Sequence, residues 1–270
     1  MGRLVRSGRR LVVVGEVLIT IGVLLAGYVF YQVVWTDRAS AELQSAASEQ
    51  QEEAWRSPEN PRAVSLADDG DGPVPFARIR IPEFGGDFDY AIVSGVTDAD
   101  LDAGPGHYPE SQGPGEAGNF ALAGHRVGRG APFNDLGRLA ACDAIVIETA
   151  DTWLDYRVLP TIGGEFGDAS DPAAAKDAAS ACMPRTITDR LRSDAYKGVP
   201  GRQIVDPSRT DVLDPIPGGE AAQDPRQLPL LTLTTCHPQF SAAERLIVHA
   251  VLVGTTDKSD GGRPPALEGR

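Results

Sequence analysis

Two apolar, β-branched runs in the last third of the chain, Leu230 to Thr235 and Arg245 to Val253, do most to limit what it can fold into. Residues of this kind favour extended backbone, and the one short loop between them, His237 to Glu244, returns the second run antiparallel to the first. The first run ends at Cys236 and the second opens at Arg245, so a thiol and a guanidinium come to facing ends of neighbouring strands. Pro238 cannot continue a ladder, which sets the thiol at a rim rather than in a core. A third run, Asn119 to Ala123, stops at Gly124-His125-Arg126 and brings an imidazole to a strand end. Cysteine, histidine and arginine together make a nucleophile, a proton carrier and an oxyanion clamp.

The remaining sequence repeats the same rhythm. Strands are expected over Ala77–Ile81 and Phe88–Val93, and a hairpin over Ala144–Thr149 and Trp153–Leu159. Further strands are expected at Ile204-Val205 and Thr210–Leu213. With 30 Gly and 21 Pro between them, eight or nine short strands point to an all-β barrel or sandwich. Leu101 to Gly118 reads as loop and Pro132 to Leu139 as a short helix or turn. Residues 162–203 lack strand periodicity and read as an inserted surface excursion, with a helix over Asp171 to Ala181. The folded domain is expected over 74–256, and the polar tail 257–270 is expected to be disordered.

The N-terminal third is of another kind. Leu11 to Val34 is apolar except for Glu16, Thr20 and Gln32. As a helix it spans about 36 Å against a hydrocarbon core of about 30 Å. Arg3, Arg6, Arg9 and Arg10 precede it, and Tyr28, Tyr31 and Trp35 crowd its far end. By the positive-inside rule, residues 1–10 are a cytoplasmic basic tail, 11–34 a single-pass signal-anchor, and the rest lies outside the plasma membrane. A cleaved signal peptide ending at Ala39-Ser40-Ala41 is the other reading, and it exports the domain equally. Residues 35–73, rich in Ala, Ser, Gln, Glu, Asp and Pro, read as a flexible acidic linker with a transient helix over Asp37 to Pro58.

A net charge of −13 excludes nucleic acid as a partner, since phosphate contacts need clustered Lys and Arg. The four histidines lack metal-ligand spacing and no Cys-x-x-Cys occurs, so neither a metal nor a cofactor is expected. His107 sits in a Gly-Pro-Gly loop where it can touch a ligand, His237 adjoins the thiol, and His249 is mid-strand and structural.

These motifs resemble those of the sortases, membrane-anchored cysteine transpeptidases. The signature Leu-x-Thr-Cys stands as Leu233-Thr234-Thr235-Cys236, with its arginine at Arg245, and the histidine motif as Asn119 through Arg126. Gly104-Pro105-Gly106-His107-Tyr108-Pro109, Ala131-Pro132-Phe133, Val205-Asp206-Pro207 and Val212-Leu213-Asp214-Pro215 agree as well. Thr234-Thr235-Cys236-His237-Pro238 is most like the class E branch. The resemblance implies an eight-stranded closed β-barrel with short helices, preceded by one transmembrane helix. It further implies that Cys236 attacks the Thr–Gly carbonyl of a C-terminal LPxTG or LAxTG sorting signal on a surface protein. Arg245 then holds the oxyanion, His125 protonates the leaving amine, and an amine from a cell-wall precursor or pilin resolves the thioacyl enzyme. Tyr108, Thr234, Thr235 and His107 are the candidate substrate contacts.

Two cysteines depart from the pattern. Cys142 occupies a turn where the pattern has glycine, and Cys182 falls within the insertion. In an exported domain they suggest one disulfide, leaving Cys236 as a thiol. Other extracytoplasmic cysteine enzymes fit the spacing less well. The alternative of another class is a non-catalytic, membrane-tethered β-domain that binds peptide or wall material.

Overall fold

Alternation of apolar and polar residues closes into a ring. The computed structural model describes residues 2–56, 72–163, 167, 171–219, 224–259 and 261–268. In chain order it contains α1 (Gly2–Arg56), β1 (Pro75–Arg80), β2 (Asp89–Ser94), α2 (Asp98–Ala103), β3 (Gly106–His107) and β4 (Gly118–Ala123). There follow β5 (Ala144–Glu148), β6 (Thr152–Val158), α3 (Pro172–Ser180), α4 (Arg185–Leu191), β7 (Arg202–Val205), β8 (Pro229–His237) and β9 (Glu244–Asp257). Eight strands run in the order β6-β5-β1-β2-β3-β4-β8-β9, and β6 pairs with β9 to close the barrel. β7 is a ninth strand added to β9. The long β9 divides one edge between two partners: Arg245 to Val248 face β7, while Ala250 to Asp257 face β6.

Every second residue points inward. Phe120 and Leu122 of β4, Leu231 and Leu233 of β8, and Leu246, Val248 and Ala250 of β9 meet Phe76, Ile79, Phe133 and Tyr156 in the barrel core. Each such side chain stabilises the fold by roughly 1.5–3 kcal/mol through the apolar surface it buries. The intervening residues face outward, and so Cys236 and Arg245 stand on the outer face at the end of the sheet.

Several expectations are corrected. The helix expected over Asp37 to Pro58 is present through Arg56, but it packs on the barrel rather than forming part of a flexible linker; residues 57–71 lie outside the described residues. Its composition favours helix, and Ser40, Gln44, Ala47 and Gln51 fall on one face at three- and four-residue spacing. Ser40, Ala47 and Gln51 are buried there, with Ala47 against Ala91, Val93 and Ala103. The apolar run is the other half of the same helix. Val13, Leu18, Ile19, Val23 and Leu24 are exposed, whereas the side chains of 11, 12, 29, 30 and 32–34 lie outside the described residues. Among the described residues no helix is long and apolar enough to cross a membrane.

Thr210–Leu213, expected as a strand, is a 3-10 turn. The 101–118 loop holds β3, and α2 precedes it, started by a capping box between Thr97 and Asp100. The tail from residue 257 is ordered where described. The Lys258 N–H donates to the Asp151 carbonyl, its ammonium to Glu148 at 2.7 Å, and Pro265–Leu267 forms a 3-10 turn. The insertion is no loose excursion either. Ala179, Met183, Tyr196 and Val199 form a second core with Leu159, Leu228, Leu230 and Val251 on the outside of β8 and β9. Cys142 and Cys182 are disulfide-bonded, with Cα atoms 5.7 Å apart, and tie α3 to the turn before β5.

Candidate active site

Three strands place the three groups expected to act together. β8 lies between β4 and β9. On one side Cys236 is directly paired with Arg245 of antiparallel β9. On the other, parallel β4 runs in register with β8 as far as Ala123 opposite Thr234. The Gly124 N–H donates to the Thr234 carbonyl, and the Thr235 hydroxyl to the Gly124 carbonyl at 2.8 Å, so the pairing extends one step further. Two residues on from Ala123 is His125; two on from Thr234 is Cys236. Sulfur, imidazole and guanidinium therefore arise from adjacent strand ends at one rim. Cys236 is a half-buried thiol.

The surroundings are charged. His125 Nε2 is 3.5 Å from Asp102 Oδ1, and Arg129 Nη1 binds the same oxygen at 2.6 Å. Burial pushes the imidazole below its ordinary pKa and Arg129 adds to this, whereas Asp102 pulls it upward. The Arg245 Nη1 group donates to its own loop, at 3.1 Å to the Ala242 carbonyl and 3.0 Å to that of Glu244. Arg126, which sequence reasoning did not single out, reaches the nucleophile's backbone. Its Nη1 donates to the Cys236 carbonyl at 3.1 Å and to His237 Nδ1 at 2.6 Å. A guanidinium cannot accept, so His237 Nδ1 carries a lone pair.

The four residues expected to contact substrate divide. The Tyr108 hydroxyl meets the Thr234 hydroxyl at 3.0 Å on the outer face. Thr235 is 3% exposed and its hydroxyl is bonded to Gly124, so it positions the histidine turn rather than touching a ligand. His107 is a correction. It has no exposed surface, because β3 draws it between β2 and β4, against Phe76 and Phe120. Its Nε2 bonds the Gln112 carbonyl and the Ser111 hydroxyl. His249 is buried as well, in a chain from Gln203 through its ring to Thr232 and Asn119.

Among the described residues no group of His, Cys, Asp and Glu side chains could hold a metal ion. A cavity of about 480 Å³ lies under the insertion, lined by Leu159, Ala179, Thr188, Tyr196 and their neighbours. None of Cys236, His125 and Arg245 lines it.

Sequence and fold comparisons point to one family. Sortase SrtE1 of Streptomyces coelicolor is 31% identical over 94% of this chain, which spans 60% of that protein's length. Sortase SrtE2 of the same organism is 26% identical over 95% of this chain and 87% of its own. Among solved structures, the SrtF sortase from Corynebacterium diphtheriae superposes with a TM-score of 0.68 and 46% identity, covering 77% of this chain and all of that one. The sortase domain profile matches residues 79–253, well over half the sequence, from the end of β1 into β9. The chain belongs to the sortase family.

Proposed function

We propose that the protein is a membrane-anchored cysteine transpeptidase acting on sorting signals of the LAxTG or LPxTG kind. The observation that carries the reading is the register that pairs Cys236 with Arg245 and sets His125 on the other side of the same strand. In the first half-reaction the Cys236 thiolate adds to the Thr–Gly carbonyl carbon, and the oxyanion takes hydrogen bonds from the Arg245 fork. The C–N bond then breaks, the nitrogen pair takes a proton from the His125 imidazolium, and a thioester remains. In the second, an amine from a wall precursor or pilin adds to the thioester, loses its proton to His125 and expels the thiolate. Asp102 supports this role for His125, since it favours the charged ring that burial and Arg129 disfavour. Tyr108, half-buried, is the candidate contact for the second signal position, and Thr234, buried at 4% exposed, holds it from beneath through its hydroxyl.

Membrane anchoring is supported by the exposed apolar side chains of α1, among them Val13, Leu18, Ile19, Val23 and Leu24, which nothing among the described residues covers. Arg3, Arg6, Arg9 and Arg10 ahead of the apolar run support a barrel outside the plasma membrane and an N-terminus within, by the positive-inside rule.

The test uses the full chain in detergent, a sorting pentapeptide and hydroxylamine. The expected outcome is peptide hydroxamate from the native chain and none from Cys236→Ala. Intact peptide at stoichiometric enzyme would instead favour the binding-module reading.

A further inference from the structure

We infer that the rim carrying Cys236 is held against the lipid surface, with Phe240 seated among the headgroups. The inference rests on the reading of α1 as the membrane anchor and adds an orientation to it. α1 is one uninterrupted helix, so its apolar half and its barrel-bound half share an axis. The bound half travels in a definite direction along the barrel. At its lower end the Trp55 ring lies under the Lys258 ammonium, 4.4 Å from its centre, and Lys258 also binds Glu148 and the Thr149 carbonyl beside the β5–β6 hairpin. One helical turn on, Glu52 stands 3.8 Å from Arg78 of β1, which is paired with Glu148. At the upper end Gln44 Nε2 donates to the Arg129 carbonyl at 3.3 Å, and Asp37 Oδ1 accepts from the Gly130 N–H at 3.3 Å. Gly130 has φ +75°, and a Cβ there would come within 2.5 Å of Gln44 Nε2. The helix thus ends its contact with the barrel on the loop that follows His125.

Three residues beyond Asp37 is Val34, the end of the apolar run. A helix rises about 4.5 Å over that interval. The anchor therefore leaves the barrel at the active rim and not at the hairpin end, and the membrane boundary lies close to the histidine loop. A second observation on the same rim points to the same partner. Phe240 is 85% exposed, in the loop that joins Cys236 to Arg245. An apolar ring so exposed suits burial at the boundary between headgroups and acyl chains. The net charge of −13 gives the remaining surface no attraction to an anionic leaflet, so the contact is local. The thiol then works at headgroup depth, on segments presented at the bilayer surface.

The experiment places an NBD fluorophore at position 240 (Phe240→Cys, Cys236→Ala) or at the hairpin end (Asp151→Cys, Cys236→Ala), in full chains reconstituted into phosphatidylcholine–phosphatidylglycerol vesicles. Lipids spin-labelled at the shallow fifth acyl carbon should quench the 240 probe several-fold more than the 151 probe, with a blue shift at 240 alone. Equal quenching at both sites overturns the orientation. Vesicle flotation separates the two levels: a chain that fails to float with the lipid refutes the anchor and the inference together. A chain that floats with an unquenched 240 probe refutes the inference alone.

Discussion

Arg126 fixes the part of the site that sequence leaves open, namely where the Cys236 backbone sits. Its guanidinium bonds the Cys236 carbonyl and the neighbouring His237 ring, and burial lowers its pKa. A hydrogen bond from a charged donor is worth about 1.5–3 kcal/mol, which corresponds to roughly ten- to a hundredfold in rate if it is needed at the barrier. Arg126→Ala is accordingly expected to lower kcat by that factor with little change in KM, and Arg126→Lys to recover part of the loss. Steady-state kinetics on a sorting peptide check this, and a rise in KM at constant kcat would assign Arg126 to substrate binding instead. Cys236, His125 and Arg245 were legible because strand alternation and one loop length set their positions. Arg126 was not, since its partner is a main-chain carbonyl 110 residues away and no side-chain pattern marks such a bond. His107 misled for the opposite reason: Gly104, Pro105 and Gly106 look like a loop, yet the two residues of β3 are enough to pull the ring into the core.

At the scale of elements, the insertion depends on a covalent tie. Cys142 has φ +74°, a left-handed conformation that glycine adopts freely and cysteine does not. The position tolerates cysteine because the side chain is bonded to Cys182 in the turn after α3. The bridge closes a loop of 40 residues, which stabilises by about 4 kcal/mol in the chain-entropy account. The Cys142→Ser, Cys182→Ser double variant should lose about that much in urea unfolding, and a loss below about 1 kcal/mol would show that the apolar core under the insertion suffices. The native chain in denaturant without reductant should titrate one thiol. The pair was readable because both cysteines depart from the family pattern in a domain expected to be exported. The docking of α1 was not, because its buried face is made of Ser40, Gln44, Ala47 and Gln51. Small and polar residues at helical spacing have the composition of a solvated linker, and only the matching face of Ala91, Val93 and Ala103 turns them into an interface.

The whole barrel should weaken in mild acid, and one buried network gives the sign. Asn119 of β4, Thr232 of β8, His249 of β9 and Gln203 of β7 join four strands. Asn119 also reaches the carbonyls of Val212 and Asp214, which roofs the network. The Thr232 hydroxyl gives its proton to Asn119 and so accepts from His249 Nδ1; His249 Nε2 then accepts from the Gln203 amide. Only the neutral ring satisfies every partner. Burial pushes the His249 pKa down to about 3, against about 6.5 in the unfolded chain. Between those values the unfolded chain binds the extra proton. The contribution is therefore complete above about pH 6.5 and falls as pH drops toward 3, by up to about 1.4 kcal/mol per unit. Carboxylates elsewhere titrate in the same range, so the informative quantity is the difference between the native chain and His249→Gln. That variant should be less stable at pH 8 by about 1–3 kcal/mol, the cost of unsatisfied buried partners. The gap should narrow steadily below pH 6.5, because the variant has no ring to protonate. Urea unfolding from pH 8 to 4 measures it, and a gap that holds constant across the range would mean that protonation of His249 does not drive the loss.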